Sequence, residues 1–525
     1  MARKSRVIHL GAFLEGFEAG LEGRFEYENI YETDVNVPLV VNDEPLLING
    51  ELNELFRNDL FLITQQRYLQ PEQASLLKAL PANAMIIDHS LDMTEAAQEA
   101  LYLKNPQWIK YQSAEELAEQ LRKYFFMGQL GYKLTFDQIK ISPSFAGTVN
   151  QVGHNYLEIE DEGTDEYQPI LKWRLALPIE PKSQWDIRFE HENLNANADI
   201  KLRVKLLNPS DEKVYSIQDI ENEALNQHIT VEVQPQGGFL VVELLARGAN
   251  IHLKVGQIRV WHARDGRGDL MIGEDEIVDE TQLNSSILCY FDPGDFKPPL
   301  NIYFSGFRTA EGVEGVFMMR GFKSPTLIFG DQRILGGSFY VGSEKIQSAI
   351  IDKIQQTLKK LNFEPDQLIL SGLSMGTYAA MYYSSFLNPA WVIVGKPLVN
   401  LGDIAANERI NRPDDFPTSL DVLLRLTDGT DEDHVQQANE YFWKSFAQYD
   451  HQKTNFVIAY MENDDYDQKA FEQLTEYLHH YAPNIRIVHK GLVGRHNDAT
   501  GPLTDWFIRQ YRNVLSTNFD RVFED

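Results

Sequence analysis

A serine stands between two glycines in the stretch SGLSMGTYAAMYY, residues 371–383. Gly372 and Gly376 lie two positions before and two positions after Ser374, with an apolar run before them and an alanine-rich run after them. A strand, a turn of this kind and a helix together form a nucleophile elbow, in which the glycines permit a sharp turn and the serine hydroxyl projects above the sheet. The pattern predicts that Ser374 is a nucleophile, and the competing interpretation is a hydroxyl in a tight turn.

A nucleophilic serine needs a base to take its proton and an acid to orient that base, and both residue types follow in the chain. The apolar run NFVIAYM precedes ENDDYD, which contains Glu462, Asp464, Asp465 and Asp467. The run IRIVHKG precedes LVGRHNDATG, which contains His496. We predict His496 as the base and Asp464 as the acid, with Glu462 as the alternative acid. We expect Asp465 and Asp467 to be solvated or to cap a helix.

The negative charge that develops during acyl transfer needs two hydrogen-bond donors. We predict the backbone N–H of Met375, which follows the serine, as one donor. The other is expected on the loop after an early strand, where the stretch YFSGFRTAEGVEGVFMMR places Gly306 and Phe307. Arg308 and Glu311 of the same stretch either line the site or form a salt-bridged loop, and the sequence leaves both interpretations open.

The remaining reactive side chains are predicted to be structural. His489 falls within an apolar run, and His479 and His480 fall within a helical stretch. The thirteen histidines show no metal-ligand spacing, so we predict no bound metal. The single cysteine, Cys289, lies in the apolar run SSILCYF and is predicted to be a small buried hydrophobic residue rather than a catalytic thiol.

The elements that position these residues follow a regular order over residues 275–525. Apolar strand-like runs recur there, with amphipathic helical stretches between several of them. This order predicts βα units and a mostly parallel sheet covered by helices on both faces. Reactive groups in such folds collect at the carboxyl ends of the strands, and the serine, the histidine and the acidic residues all follow strand-like runs.

Two further segments precede this one. Residues 1–138 alternate short β-rich runs with helical stretches and predict a small α/β domain. Residues 139–270 contain short alternating runs separated by turn residues, which predict a β-sandwich of antiparallel strands. A sandwich can bind sugar through exposed aromatic side chains, for which Trp173, Trp185 and Trp261 are candidates, although tryptophans in sandwiches more often lie in the core.

The overall composition argues against several classes of protein. The net charge of −29 and the pI near 4.9 argue against nucleic-acid binding, because phosphate contacts need clustered lysine and arginine. No apolar window reaches the roughly 18 to 20 residues of a membrane span, and the apolar stretch near the amino terminus is too short for a signal peptide. Gly11, Gly16 and Gly20 depart from the dinucleotide fingerprint, so we predict no bound cofactor. The single cysteine favours a reducing compartment, so we expect the protein in the cytoplasm.

Four separated stretches together resemble a known family. The strand and loop YFSGFRTAEGVEGVFMMR, the elbow LSGLSMGTYAAMYY, the acidic loop YMENDDYD and the final GRHND are similar to those of the second accessory secretory proteins. These belong to the accessory Sec system of Gram-positive bacteria that export serine-rich repeat adhesins. The resemblance is strongest over residues 285–515 and implies an α/β-hydrolase-like domain, preceded by the β-sandwich and the small α/β domain.

The resemblance also implies an activity, the O-acetylation of N-acetylglucosamine on the adhesin. Ser374 then matches the nucleophile and His496 the base, while the acid falls within residues 462–465. Glu462 stays open as the acid because the family admits a glutamate there. The reaction requires an acetyl donor, for which acetyl-CoA is a candidate.

The partners that the resemblance implies are the other accessory secretory proteins, the accessory SecA motor and the glycosylated adhesin. No nucleic acid and no direct membrane span are expected, and a cytoplasmic complex could lie peripherally at the translocon. The resemblance also implies a role in export that is separable from catalysis. Two alternatives remain, because an esterase uses the same triad and a non-catalytic export scaffold or chaperone could use the same fold.

Overall fold

The computed structural model describes residues 5–31, 37–126, 128–173, 177–269, 275–411, 416–449 and 451–523. These residues form two compact units. The first unit comprises the described residues up to 129, with 263–269 and 292–294, and the second comprises the remainder. None of the described helices is both long and apolar enough to cross a membrane.

The first unit is built on a five-stranded parallel sheet with the strand order β2-β1-β7-β8-β9. The strands of this sheet are β1 Arg6–Leu10, β2 Glu26–Ile30, β7 Leu60–Ile63, β8 Met85–Asp88 and β9 Gln107–Ile109. Two separate antiparallel pairs are formed by β3 Val40–Val41 with β4 Glu44–Pro45 and by β5 Leu47–Ile48 with β6 Glu51–Leu52. Its helices are α1 Phe17–Gly20, α2 Ala74–Ala79, α3 Glu95–Ala100 and α4 Ala114–Tyr124. Strand β1 is buried along its whole length, because Val7 packs into one apolar cluster and Ile8 into another. Burial of both faces is expected for a strand inside a parallel sheet.

Ten antiparallel strands of the second unit form one continuous sheet. They are β10 Gly131–Leu134, β11 Ile139–Ile141, β12 Thr148–Val152, β13 Tyr156–Trp173, β14 Leu177–Ile179, β15 Gln184–Asn193, β16 Ala198–Leu207, β17 Val214–Glu221, β18 Ile229–Glu232 and β19 Gly238–His262. The long strand β19 pairs with β10, β13, β14, β15 and β16, so one strand connects the segment that the sequence predicted as a β-sandwich. The sheet begins at β10, on the amino-terminal side of the predicted boundary at residue 139.

Alternating side chains of these strands fill one apolar core. Strand β16 alternates between buried and half-buried residues along its length, as expected for a strand with one face in the core. Trp173, Trp185 and Trp261 are each only 1% exposed. They therefore offer no free ring face to a sugar, and the core interpretation of these tryptophans is the one that the structure supports.

The rest of the second unit contains an eight-stranded sheet with the order β20-β21-β23-β22-β24-β25-β26-β27. Its strands are β20 Glu276–Asp279, β21 Ser285–Asp292, β22 Leu300–Phe304, β23 Thr326–Asp331, β24 Leu368–Leu373, β25 Trp391–Gly395, β26 Asn455–Met461 and β27 Ile487–Leu492. Its helices are α5 Val316–Arg320, α6 Glu344–Leu361, α7 Met375–Leu387, α8 Leu401–Ile410, α9 Ser419–Thr427, α10 Glu432–Phe446, α11 Ala470–Tyr481 and α12 Thr500–Asn518.

Six neighbouring strands of this sheet, β22 to β27, run parallel. Helices follow from the local sequence: α6 begins at the capping Ser343, buries Ile346, Ile350 and Ile354 on one face, and ends at Asn362 in the left-handed conformation.

Because parallel strands share one carboxyl edge, the residues after β22, β24, β26 and β27 meet there. The predicted nucleophile, base, acid and oxyanion loop all follow one of these four strands.

Candidate active site

The turn between β24 and α7 has the geometry of a nucleophile elbow. Ser374 adopts φ 51° and ψ −120°, a strained conformation for a residue other than glycine. A Cβ on Gly372 would lie 2.5 Å from the backbone of Gly376, and a Cβ on Gly376 would lie 2.0 Å from the carbonyl oxygen of Phe304. The two glycines are therefore required by close backbone approaches, which explains their spacing around the serine.

A line of hydrogen bonds joins the serine, the histidine and an aspartate. Ser374 Oγ lies 2.8 Å from His496 Nε2, and His496 Nδ1 lies 2.8 Å from Asp464 Oδ2. His496 is 1% exposed and Asp464 is 6% exposed, whereas Ser374 is half-buried. The hydroxyl is thus the accessible end of the line, and the carboxylate can hold the imidazole in the tautomer that accepts a proton from serine.

The acidic loop after β26 places Asp464, and not Glu462, against the imidazole. The second oxygen of Asp464, Oδ1, accepts hydrogen bonds from the backbone N–H groups of Tyr466 (2.9 Å) and Asp467 (3.2 Å). These bonds fix the orientation of the carboxylate, so that its other oxygen points at His496. Glu462 is exposed, and its Oε1 lies near Gly491 of β27.

The two neighbouring aspartates each accept backbone N–H groups. Asp465 Oδ1 accepts the backbone N–H of His496 at 2.9 Å, so it holds the loop that carries the base. Asp467 is 4% exposed and accepts the backbone N–H groups of Val399 and Asn400 at 2.8 Å each. Burial raises the pKa of Asp467. Of the two expectations for Asp467, a solvated residue or a helix-capping one, the first is wrong, and its bonds to the residues that begin α8 agree with the second.

An aromatic ring that the sequence analysis missed covers the base. Tyr466 stacks on the imidazole of His496, with ring centroids 4.3 Å apart and an interplanar angle of 19°. Phe416 stacks on Tyr466 at 5.9 Å and meets the ring of Phe307 edge-on at 5.2 Å. This aromatic chain joins the loop of the base to the loop of the predicted oxyanion donors. Tyr466 falls inside the acidic stretch, but no sequence pattern pairs it with the histidine.

Lys396, directly after β25, is a second residue that the sequence analysis missed. It is 6% exposed, and its Nζ donates to Thr500 Oγ1 at 3.0 Å. Burial lowers the pKa of Lys396, while the nearby Asp464 and Asp498 raise it. A cation thus lies close to the candidate acid and at the start of α12.

Two backbone N–H groups are available as oxyanion donors. Met375 is the first residue of α7, so its N–H has no acceptor within the helix. Among the described residues, no backbone acceptor takes the N–H of Phe307. The N–H of Gly306 instead donates to Glu314 Oε1 at 2.5 Å. The geometry thus favours Met375 and Phe307 as the pair and leaves Gly306 as a residue that shapes the loop.

Arg308 and Glu311 hold the loop after β22 rather than line an open site. Glu311 is 1% exposed, and its carboxylate accepts three hydrogen bonds of 2.9 to 3.2 Å from the guanidinium of Arg259 on β19. Arg308 donates weakly to the carbonyl oxygen of Glu311 at 3.4 Å. The salt-bridged loop is therefore the interpretation that the structure supports.

The other reactive side chains lie outside this arrangement. Cys289 is buried in β21, and burial raises the pKa of its thiol well above the usual range. His479, His480 and His489 are exposed on α11 and β27. None of these four side chains contacts Ser374 or His496 among the described residues.

Among the described residues, one group of side chains that could hold a metal ion lies close together, although the linear spacing did not indicate it. Glu158 and Glu160 on β13 and His252 on β19 bring ligand atoms within 4.8 Å of one another. Register across the two strands places Glu160 opposite His252, which explains why the sequence order hides the group. Glu158 Oε1 lies 3.0 Å from His252 Nε2, so these two side chains are already hydrogen-bonded to each other, and we propose no metal site here.

Comparison with known proteins shows the family of this chain. The model of the accessory Sec system GspB-transporter family matches residues 11–521. The chain belongs to this family. An accessory Sec system protein of Staphylococcus aureus (strain NCTC 8325 / PS 47) is 37% identical over 416 residues, which cover 79% of this chain and 78% of that protein. A second one, from Streptococcus gordonii, is 36% identical over 438 residues, which cover 81% of this chain and 83% of that protein.

A solved structure resembles the whole chain. It is the Glycosylation Associate Protein (Gap123) complex from Streptococcus agalactiae, with a TM-score of 0.84 and 35% identity. The alignment covers 99% of this chain and 99% of that chain. Because the matched family model and this structure both span nearly the full length, the family assignment applies to the complete set of elements described above.

Proposed function

We propose that this accessory Sec family protein is a serine-dependent O-acetyltransferase that modifies N-acetylglucosamine on a glycosylated serine-rich repeat adhesin. The observation that carries the proposal is the hydrogen-bonded line from Ser374 through His496 to Asp464, beside two available backbone N–H groups. Acyl transfer needs these parts together: a nucleophile, an oriented base and a pair of oxyanion donors.

The sheet topology supports the same reaction class. Numbered within the sheet, the strand order is 1-2-4-3-5-6-7-8, which is the order of the α/β-hydrolase fold. Ser374 follows the fifth strand, and the acid and base follow later strands, in the chain order serine, acid, histidine of that fold. Fold alone does not assign an activity, so the proposal rests on the site geometry and the family together.

The first half of the reaction forms an acyl-enzyme. Ser374 Oγ attacks the carbonyl carbon of the acetyl donor, and His496 Nε2 takes the hydroxyl proton. The carbonyl oxygen becomes an oxyanion that accepts hydrogen bonds from the N–H groups of Met375 and Phe307. The C–S or C–O bond to the leaving group then breaks, and the imidazolium returns its proton to that group. Acetyl-CoA is the donor that we propose.

The second half transfers the acetyl group to the sugar. A hydroxyl of N-acetylglucosamine gives its proton to His496 Nε2 and attacks the acyl carbon, and the bond to Ser374 Oγ breaks as the serine recovers the proton. Asp464 stabilises the imidazolium in both halves. Attack by water instead of the sugar would make the same site an esterase.

The proposed setting is the accessory Sec export complex in the cytoplasm. Membership of the GspB-transporter family and the likeness to a chain of the Gap123 complex support the other accessory secretory proteins as partners. The accessory SecA motor and the glycosylated adhesin complete the proposed set. The net charge of −29 disfavours nucleic acid as a partner.

The test is a transfer assay with purified protein, labelled acetyl-CoA and an adhesin peptide that carries N-acetylglucosamine. We expect label on the sugar with the wild type and none with Ser374→Ala. Ser385→Ala is the matched control, because Ser385 lies on the same helix and its hydroxyl has no hydrogen-bond partner among the described residues. The control should transfer label at the wild-type rate.

The alternatives give different results in this assay and in labelling with a fluorophosphonate, which reacts with activated serines. An esterase would be labelled at Ser374 and would release acetate without label on the sugar. An export scaffold would not be labelled at Ser374. Either result would refute the acetyltransferase proposal.

A further inference from the structure

Three cations lie side by side on one face of the ten-stranded sheet. The register pairs Lys133 of β10 with Arg259 of β19, and Arg259 with Arg188 of β15. Lys133 is 9% exposed, Arg188 5% and Arg259 0%. Like charges directly opposite one another destabilise a sheet, so this cationic row needs compensating groups.

The compensating acids come from the α/β part of the unit. Glu311, on the loop after β22, pairs with Arg259 at 2.9 Å. Glu276 of β20 pairs with Arg259 at 3.1 Å and with Arg188 at 2.9 Å. Buried ion pairs often contribute little net stability, because desolvation offsets the attraction, whereas they do impose a geometry. Of these pairs, the one between Arg259 and Glu311 holds the loop that carries Phe307.

Lys133 contacts this loop and its neighbour directly. Its Nζ donates to the carbonyl oxygen of Leu335 at 2.7 Å and lies 3.3 Å from that of Arg308. The first carbonyl belongs to the loop after β23 and the second to the loop after β22. A third bond joins the same loops, because the N–H of Arg308 donates to the carbonyl oxygen of Gly336 at 3.0 Å.

The loop after β23 packs against both candidate oxyanion donors. A Cβ on Gly336 would lie 2.5 Å from the ring of Phe307, and a Cβ on Gly337 would lie 2.4 Å from Met375 Cε. A shift of this loop would therefore move Phe307 or Met375. Because oxyanion donors act through their preset positions, a misplacement of about 1 Å can reduce a rate about 100-fold.

We propose that Lys133 is a positioning residue for the oxyanion hole. Its ammonium joins the carbonyl oxygens of Arg308 and Leu335 and thereby keeps the N–H groups of Phe307 and Met375 at fixed positions relative to each other. The ten-stranded sheet is then a working part of the catalytic site rather than a separate binding module. The catalytic consequence rests on the proposed acyl transfer, while the positioning itself is a property of the loops.

The charge state of Lys133 supplies a measurable signature. The pKa of Lys133 is lowered to about 8, mainly by burial. The charge of Arg259 lowers it further, whereas the carboxylates of Glu311, Glu190 and Asp331 partly oppose the decrease. These ionisable groups face the ammonium from strands β15, β19 and β23 and from the loop after β22. As pH rises through 8, the ammonium loses its proton and donates more weakly to the carbonyls. Arginine stays protonated over this range.

The experiment measures the acylation rate of Ser374 by 4-nitrophenyl acetate, from the burst of nitrophenol, for four proteins. These are the wild type, Lys133→Met, Lys133→Arg and Lys140→Met, the last a control at an exposed lysine of the same sheet. We expect Lys133→Met to lower the maximal rate about 10- to 100-fold with an unchanged half-saturating concentration, and Lys140→Met to match the wild type. Lys133→Arg should restore part of the rate, and its rate should not decline as pH rises through 8, unlike that of the wild type.

Three outcomes would overturn the inference: a folded Lys133→Met protein that acylates at the wild-type rate, a wild-type rate that does not decline through pH 8, or a decline that Lys133→Arg leaves in place. If Lys133→Met fails to fold, the inference is tested by comparing the pH profiles of the acylation rate for the wild type and for Lys133→Arg. Hydrogen exchange separates this inference from the proposed function. If wild-type Ser374 proves inert, faster exchange of residues 305–315 in Lys133→Met would still support the positioning role, and unchanged exchange would refute it.

Discussion

Replacement of Asp464 by asparagine tests the triad most directly. Asp464 accepts the Nδ1–H of His496 through an oxygen 2.8 Å away, and its other oxygen is held by two backbone N–H groups. The amide of asparagine can turn its NH₂ group toward the imidazole. The ring must then accept at Nδ1 and carry its proton on Nε2, where it can no longer take the proton of Ser374.

The expected loss follows from that change of tautomer. The same replacement in a serine triad lowers kcat by roughly 10⁴-fold, which corresponds to about 5.4 kcal/mol of transition-state stabilisation. The shape of the side chain is unchanged and its other oxygen keeps its backbone donors, so the free energy of unfolding should change by less than about 1 kcal/mol. The assay is the second-order rate of fluorophosphonate labelling, with urea unfolding measured in parallel.

Glu462→Gln is the matched control, because Glu462 is exposed on the same loop. It should label within about twofold of the wild type. The reasoning would be refuted if Asp464→Asn labelled at the wild-type rate while Glu462→Gln lost its reactivity. That result would make Glu462 the acid and would mean that the loop after β26 rearranges in the reacting protein.

Two further predictions concern the elbow and the buried ion pairs. Gly376→Ala should lose labelling and about 1 to 3 kcal/mol of unfolding free energy, because its Cβ would lie 2.0 Å from a carbonyl oxygen; Gly501→Ala, with open space around its Cβ, should be neutral in both assays. Glu276 has its pKa lowered to about 2 from 4.5, so its contribution to stability is complete above pH 4.5 and is lost as pH falls toward 2. The unfolding free energy of the wild type should therefore fall by up to about 1.4 kcal/mol per pH unit more steeply than that of Glu276→Gln in this window, and parallel curves would contradict the assignment.

Local sequence patterns predicted the parts of the site that lie close together in the chain. The elbow around Ser374 could be recognised because its two glycines meet backbone atoms of neighbouring elements, so the requirement is visible at a fixed spacing. The order of strands and helices in the carboxyl-terminal part could be predicted for the same reason, since capping residues and apolar periodicity act over one turn of helix or a few residues of strand.

Long-range pairing could not be predicted in the same way. The choice between Asp464 and Glu462 depends on which side chain the loop after β26 turns toward a histidine 32 positions later. The stacking of Tyr466 on His496 and the role of Asp465 in holding the base depend on that same turn. The pairing of β19 with five other strands could not be predicted, because alternation along a strand reports its buried face and not its partners.

The sequence by itself determined the chemistry available to this protein: one serine on a glycine-flanked turn, a histidine and acids on later loops, and a net charge of −29 that disfavours nucleic acid. Tertiary structure alone decided which groups meet. It brought Lys133 from β10 to the carbonyls of residues 308 and 335, which are 175 and 202 positions away in the chain. The physical reason is that a side chain's type is set locally, whereas its hydrogen-bond partner, its burial and its pKa are set by whatever the packed elements place beside it.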